Sequence, residues 1–121
     1  MADVKNIRKQ LRELVEVAHD RELGLYLSEL DARFGEWRDG QIGPTELSDF
    51  IHEFHDGSSR AVYKTYTILK RDQLVARAIG IGLLREDEVS EEIREMLSDS
   101  IAYFREHYEI DEDDPLFKLR A

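Results

Sequence analysis

Apolar residues along the first part of the chain recur at helical spacing. Val4, Ile7, Leu11, Leu14 and Ala18 are separated by steps of 3 and 4. That lays one apolar stripe along a helix and leaves Lys5, Arg8, Lys9, Arg12, Glu13 and Glu16 off it. Asp3 is suited to cap the start. The stripe then slips. Leu23, Leu27, Leu30, Phe34 and Trp37 restore the spacing, but Ala18 to Leu23 is a step of 5. The slip predicts a break or kink near His19-Asp20, with Asp20 as the N-cap of a second helix. Leu25 and Tyr26 widen the second stripe, so Leu23, Leu25, Tyr26 and Leu30 are the expected interface of a homodimer.

Asp39-Gly40 reads as a stop. The next start is well specified: Gly43 at the N-cap, Pro44 at the first helical position, Glu46 in the first turn, and Ile42 and Leu47 at the two places of a hydrophobic staple. A third helix carrying Leu47, Phe50, Ile51 and Phe54 is expected to end at Asp56-Gly57. A fourth, capped by Ser58 or Ser59, carries Val62, Tyr66, Leu69, Val75, Ala76 and Ile79, and Gly80 and Gly82 end it. A fifth opens at Asp87 or Ser90 and turns Ile93, Leu97, Ile101, Phe104 and Tyr108 inward. The stretch Ala-Ile-Gly-Ile-Gly at 78–82 is too short and glycine-rich to pair as a strand. The pattern predicts an all-α chain, a compact antiparallel bundle of four to six helices joined by short loops. Residues 1–108 make the single helical domain, and 109–121 an acidic C-terminal tail in which Leu116, Phe117 and Leu119 can dock as a short turn.

Composition narrows the chemistry. At 121 residues the chain can bury a core without covalent staples. It contains no cysteine, which excludes disulfides, cysteine-ligated zinc, iron–sulfur clusters and cysteine nucleophiles. A reducing, cytoplasmic setting fits, and the plainness of the chain fits a bacterial source. No apolar run approaches the ~18 residues of a membrane span, and the first residues lack a signal-peptide core, so no membrane partner is expected. The net charge of −10 repels phosphate backbones, so no nucleic acid is expected either. The charge is uneven. Residues 61–85 hold five cations and one acid, whereas 86–114 hold two cations and thirteen acids. Adjacent segments of opposite sign are expected to pair within one fold.

Two short patterns bear on metals. Gly40-Gln-Ile42-Gly-Pro-Thr-Glu46-Leu47 is echoed 42 residues on by Gly82-Leu-Leu84-Arg-Glu-Asp-Glu88-Val89. The shared pattern resembles the second half of an EF-hand loop, where glycine is sixth, an aliphatic residue eighth and a glutamate twelfth. Asp39 fits the fifth place. The first and third places need oxygen ligands but hold Gly35 and Trp37, and Arg77 and Ile79 in the second copy, so neither loop is expected to take calcium. A glycine stop followed by a capping glutamate joins many helix pairs in the same way. The other pattern is the histidine cluster. The histidines are His19, His52, His55 and His107, and the densest stretch is 51–60. His52 and His55 share a face. With Asp56, Arg60 and Lys64 they form the candidate binding site, suited to a metal or a phosphate at a helix start. Arg60, Lys64 and Arg71 fall on one face of the fourth helix and suit an anion or an acidic partner.

His55-Asp56 in an all-helical chain is similar to the HD family of metal-dependent phosphohydrolases. That resemblance implies His19, His55, Asp56 and either Asp72 or Asp99 in the family's ligand roles, with metal-bound water as nucleophile. The pattern departs from the family where Gly57 follows at once. Glu16-x-x-His19 with Asp49-x-x-His52 imitates the spacing of di-iron bundles, but Glu16 and Asp49 lie off their apolar stripes. The cluster also has a structural role open to it: a histidine in the last turn of a helix complements its negative end, and Asp56-Gly57-Ser58-Ser59 makes a stop followed by a cap. Trp37 on an apolar stripe reads as core or interface rather than a stacking platform.

The residues point first to a small non-enzymatic protein–protein interaction domain, adaptor or regulatory, with no metal and no cofactor. Its acidic surface suits a basic partner, as in an antitoxin-like or nucleic-acid-mimicking role. The alternative is an HD-like phosphohydrolase built on His55 and Asp56, with His19 and Asp72.

Overall fold

The run Leu74–Ile81 is buried on every side, and the other elements are arranged around it. The computed structural model describes residues 4–120. Asp3, the expected cap of the first helix, lies outside them. The helices are α1 (Val4–Arg38), α2 (Pro44–Glu53), α3 (Arg60–Ile68), α4 (Arg71–Ile81), α5 (Glu91–Met96) and α6 (Ser98–His107). A π-helical segment, Phe54–Ser59, joins α2 to α3, and 3-10 turns form at Glu86–Glu88 and Pro115–Arg120. The described residues include no strand, and the chain is an all-α bundle. Helix α4 packs between α1 and α6. The core joins Leu11 and Ala18 of α1 to Val75, Ile79 and Ile81 of α4, Ile93 of α5, Ile101 of α6 and Leu116 of the last turn.

The expected break at His19-Asp20 does not occur. α1 runs unbroken for 35 residues, about 52 Å at helical rise. Leu11, Ala18 and Glu22 are its buried residues, and Leu25 packs against the core in the same phase. The stripe therefore never slips: the place after Ala18 belongs to Glu22, a carboxylate in an apolar register. α1 ends at Gly40, whose φ of 77° lets Gln41 N–H reach back to the Glu36 carbonyl at 2.8 Å. Gly43 then caps α2 in an extended conformation, with Pro44 in the first turn.

Three further boundaries differ from the expectation, the simplest being that the expected fifth helix is split at Leu97 into α5 and α6. The stop at Asp56-Gly57 is absent, because Gly57 keeps a negative φ and the chain winds through the π segment into α3. A π turn absorbs the change of phase without ending the helix. Ser59 accordingly makes no side-chain cap. The true break comes at Leu69-Lys70, both extended, with ψ of 146° and 159°. Neither glycine nor proline marks it. Breaking there redirects α4 through the middle of the bundle, and it removes Arg71 from the face shared by Arg60 and Lys64.

Of the expected pairing between the basic and acidic stretches, Arg85 meets Asp87 and Glu88, while Arg105 meets Glu86 within the acidic stretch. Arg77 pairs instead with Glu22 of α1. Glu88 pins the 3-10 turn to α1, accepting from Arg21 Nη1 at 2.8 Å and from the Arg85 backbone N–H at 2.7 Å. Those two donors hold its carboxyl down at about 2, Arg21 contributing most. A carboxyl depressed in the fold stabilises it above the ordinary value of 4.5, and the effect is lost as pH falls from there to about 2. Urea midpoints of the parent and Glu88→Gln should thus differ by a constant amount above pH 4.5 and converge as the pH falls to about 2.

Candidate functional site

The polar group buried at the centre begins with Glu22, which α1 places on its core face, and Arg77, which the buried α4 has no solvent side to offer. Each is 2% exposed. Arg77 grips the carboxylate with both terminal nitrogens, Nη1 to Oε1 at 2.7 Å and Nη2 to Oε2 at 2.8 Å. Tyr66 of α3 donates its hydroxyl to Glu22 Oε1 at 2.7 Å, and Tyr108, just past α6, accepts from Arg77 Nε at 3.1 Å and Nη2 at 3.0 Å. The guanidinium lies 5.0 Å from the Tyr108 ring centroid. His19 stacks on the Tyr66 ring with centroids 4.3 Å apart. Burial by itself would lower the Arg77 pKa, but the bonds to Glu22 outweigh it and hold the value above that of an ordinary guanidinium.

Beside this group lies a cavity of about 330 Å³ reached by Tyr26, Thr65, Tyr108 and Asp114. The Tyr26 hydroxyl donates to Asp114 at 2.9 Å, which ties the acidic end of the chain across the cavity mouth, and Leu116 is buried beyond it. Among the described residues no buried side-chain nitrogen or oxygen lacks a partner. Chemically the cluster is a clamp joining α1, α3 and α4 to the end of α6.

Burial first, and then the carboxylate beside each, pushes the hydroxyls of Tyr26 and Tyr66 above their ordinary 10.0. Raised values stabilise the fold below pH 10.0, an effect lost as pH climbs beyond it. In an ultraviolet titration, two of the five tyrosines should ionise only as helical circular dichroism is lost. Tyr66→Phe should remove one of those two.

The residues of the expected histidine site lie along the exposed surface of the continuous helical stretch from α2 through the π segment to α3. His52 is exposed on α2, and Arg60 and Lys64 are exposed on α3. His55 and Asp56 bond each other, Nδ1 to Oδ1 at 3.1 Å, with side chains 73% and 70% exposed. His19 faces Tyr66 rather than His55. Asp72 accepts from the Gln73 backbone N–H at the start of α4. Among the described residues no group of three or more histidine and carboxylate side chains can hold a metal ion. Both glycines of the EF-hand-like echo have positive φ, and Glu88 of the second copy is bonded by the Arg21 guanidinium. Glu16 and Asp49 are exposed. The expected dimer face is largely used within the chain: Leu25 packs on the core, Tyr26 and Leu30 line a shallow depression with Phe50 and Phe54, and Leu23 is half-buried.

A larger feature lies at the other end of α1. A groove of about 1010 Å³ runs between the first turns of α1, the α3–α4 link and α5. Leu11 and Leu74 form its buried floor, Ile7, Val15 and Leu69 its half-buried walls, and Val4 and Met96 its exposed lips. Tyr66 reaches it from the clamp. Arg8, Lys70, Arg71, Asp72 and Glu92 edge it. Periodicity alone placed Val4, Ile7 and Leu11 on an inward stripe, and the break at Leu69-Lys70 leaves that stripe uncovered at its start. The missed clamp had a signal: Arg77 is the lone charge in the apolar run 74–84, and a buried cation requires a buried anion.

No helix among the described residues is long and apolar enough to cross a membrane. Compared with known proteins, the chain significantly matches no family model, no curated protein and no solved structure.

Proposed function

We propose that the chain is a protein-interaction module whose groove receives a helical segment of a partner protein. The observation carrying this reading is the groove itself, an apolar trough with a buried floor and exposed apolar lips. Val4 and Met96 are 63% and 53% exposed, an arrangement that water disfavours and a partner's side chains would relieve. An amphipathic helix lays apolar residues at i, i+3, i+4 and i+7 into such a trough. Covering Leu69, Val4 and Met96 supplies the apolar burial that drives association. The clamp behind the groove keeps its walls in place, so little ordering cost is added on binding.

The experiment is selection from a displayed library of amphipathic helices, followed by affinity measurement. Selected helices should lose at least tenfold in affinity for Val4→Glu and Met96→Glu, since each change places a charge against the apolar stripe. Trp37→Glu, at the far end of α1, should leave binding unchanged. Failure to select any binder, or equal loss in all three variants, would contradict the proposal.

A further inference from the structure

Resting on that docking role, we infer that the partner helix is acidic along its edges. The chain carries 27 acids against 17 lysines and arginines, yet the groove is edged by cations on two sides. Residues 4–12 include Lys5, Arg8, Lys9 and Arg12 and no acid. Arg8 stands on the α1 wall, with Arg12 one turn further along, and Lys70 and Arg71 stand on the α3–α4 link. Elsewhere Arg21 holds Glu88, Arg33 holds Glu36, Arg77 holds Glu22, Arg85 holds Asp87 and Arg105 holds Glu86, Arg94 donates to the Val89 carbonyl, and Arg38 and Arg60 lie away from the groove. The side chains of Arg8, Arg12, Lys70 and Arg71 make no hydrogen bond or ion pair with the described residues. In an acidic protein, cations left unpaired around an apolar trough are the complement of an acidic amphipathic segment.

The groove's own acids are Asp72 and Glu92. Asp72 is engaged at the start of α4, where it accepts from Gln73. A partner helix with acids at i and i+4 would meet Arg8 and Arg12, which are spaced by one turn, while its far edge meets Lys70 and Arg71. Its apolar stripe then lies over Leu11 and Leu74. A second copy of this chain docked by two-fold symmetry would set the same cations against each other, so a different protein fits better. A flat anionic bilayer could meet the cations but could not reach a floor recessed below the Val4 and Met96 lips.

The test uses two synthetic helices with one leucine stripe and either glutamate or lysine on the flanks, measured by calorimetry at low and high salt. The glutamate peptide should bind at least about tenfold more tightly at low salt, as three or four exposed ion pairs would produce. The advantage should shrink as salt screens it. Arg8→Glu with Arg71→Glu, both exposed sites, should reverse the preference while leaving the melting temperature close to that of the parent. Equal binding of both peptides overturns the inference and leaves the docking role standing. Binding of neither sinks the docking role itself. Preference for the lysine peptide overturns the inference. So does capture of phosphatidylserine vesicles instead of peptide, or a concentration-dependent dimer that the double variant dissociates.

Discussion

Replacing Arg77 with methionine is expected to destabilise the fold by about 3–5 kcal/mol, because it strands a carboxylate buried among apolar side chains. Glu22 is 2% exposed and would keep only the Tyr66 hydroxyl of its present partners. Against a typical total of about 5–15 kcal/mol, such a loss takes most of the margin. It should lower the melting temperature by on the order of 15 °C. Glu22→Leu combined with Arg77→Met should recover much of the loss, because it removes both charges together and keeps the volume filled. The remaining deficit belongs to Tyr66 and Tyr108, whose hydroxyls lose partners at about 1–3 kcal/mol each. Thermal and urea unfolding of the two single variants and the double variant measure the coupling directly. A cost below about 1 kcal/mol for Arg77→Met would mean that the pair is solvated and does not clamp α1 to α4.

The second large effect is expected at Gly80, where α4 and α6 cross closely. A Cβ at this position would stand 2.8 Å from Phe104 Cβ, 3.1 Å from Arg105 N and 3.2 Å from the Ile101 carbonyl oxygen. Two of these three neighbours are backbone, so the helices must move apart to admit a methyl group. Overpacking of this kind costs about 1–3 kcal/mol, while the alanine would return up to ~1 kcal/mol of helix propensity. A net loss of about 1–2 kcal/mol is expected for Gly80→Ala, and more for Gly80→Val. Gly24 in α1 supplies the opposite case. Its added Cβ would meet nothing within 4 Å, so Gly24→Ala should gain up to ~1 kcal/mol. Chemical unfolding of the two variants side by side checks the sign of each.

Helix boundaries carried by local chemistry were legible in the sequence. Gly40, Gly43-Pro44 and Gly82 mark turns that their own backbone requirements dictate, and Ser90 caps α5 by accepting from Ile93 N–H at 3.4 Å. What depended on distant partners was not. Glu22 interrupts the α1 stripe only for a reader who does not see Arg77, 55 residues away. With the pair in place, the register is continuous and the helix has no reason to break. The bend at Leu69-Lys70 has no glycine or proline because the packing of α4 imposes it. Asp56-Gly57 carries a stop signal that the continuous π turn overrides. The histidines stood out by residue type, yet among the described residues they build no group of three or more metal-ligating side chains. The groove is assembled from three segments, α1, the α3–α4 link and α5, so no local pattern could have announced it.

Docking of a partner helix in that groove is tested most directly at Met96. The chain has two methionines, Met1 and Met96, so carbon-13 labelling of their methyl groups gives two resonances, one of them on the groove lip. Saturation with a selected helix should shift or broaden the Met96 methyl signal, and the spectrum of the Val4→Glu variant should stay unchanged under the same addition. A helix that binds tightly while the Met96 signal keeps its position would place the docking site elsewhere and contradict the assignment.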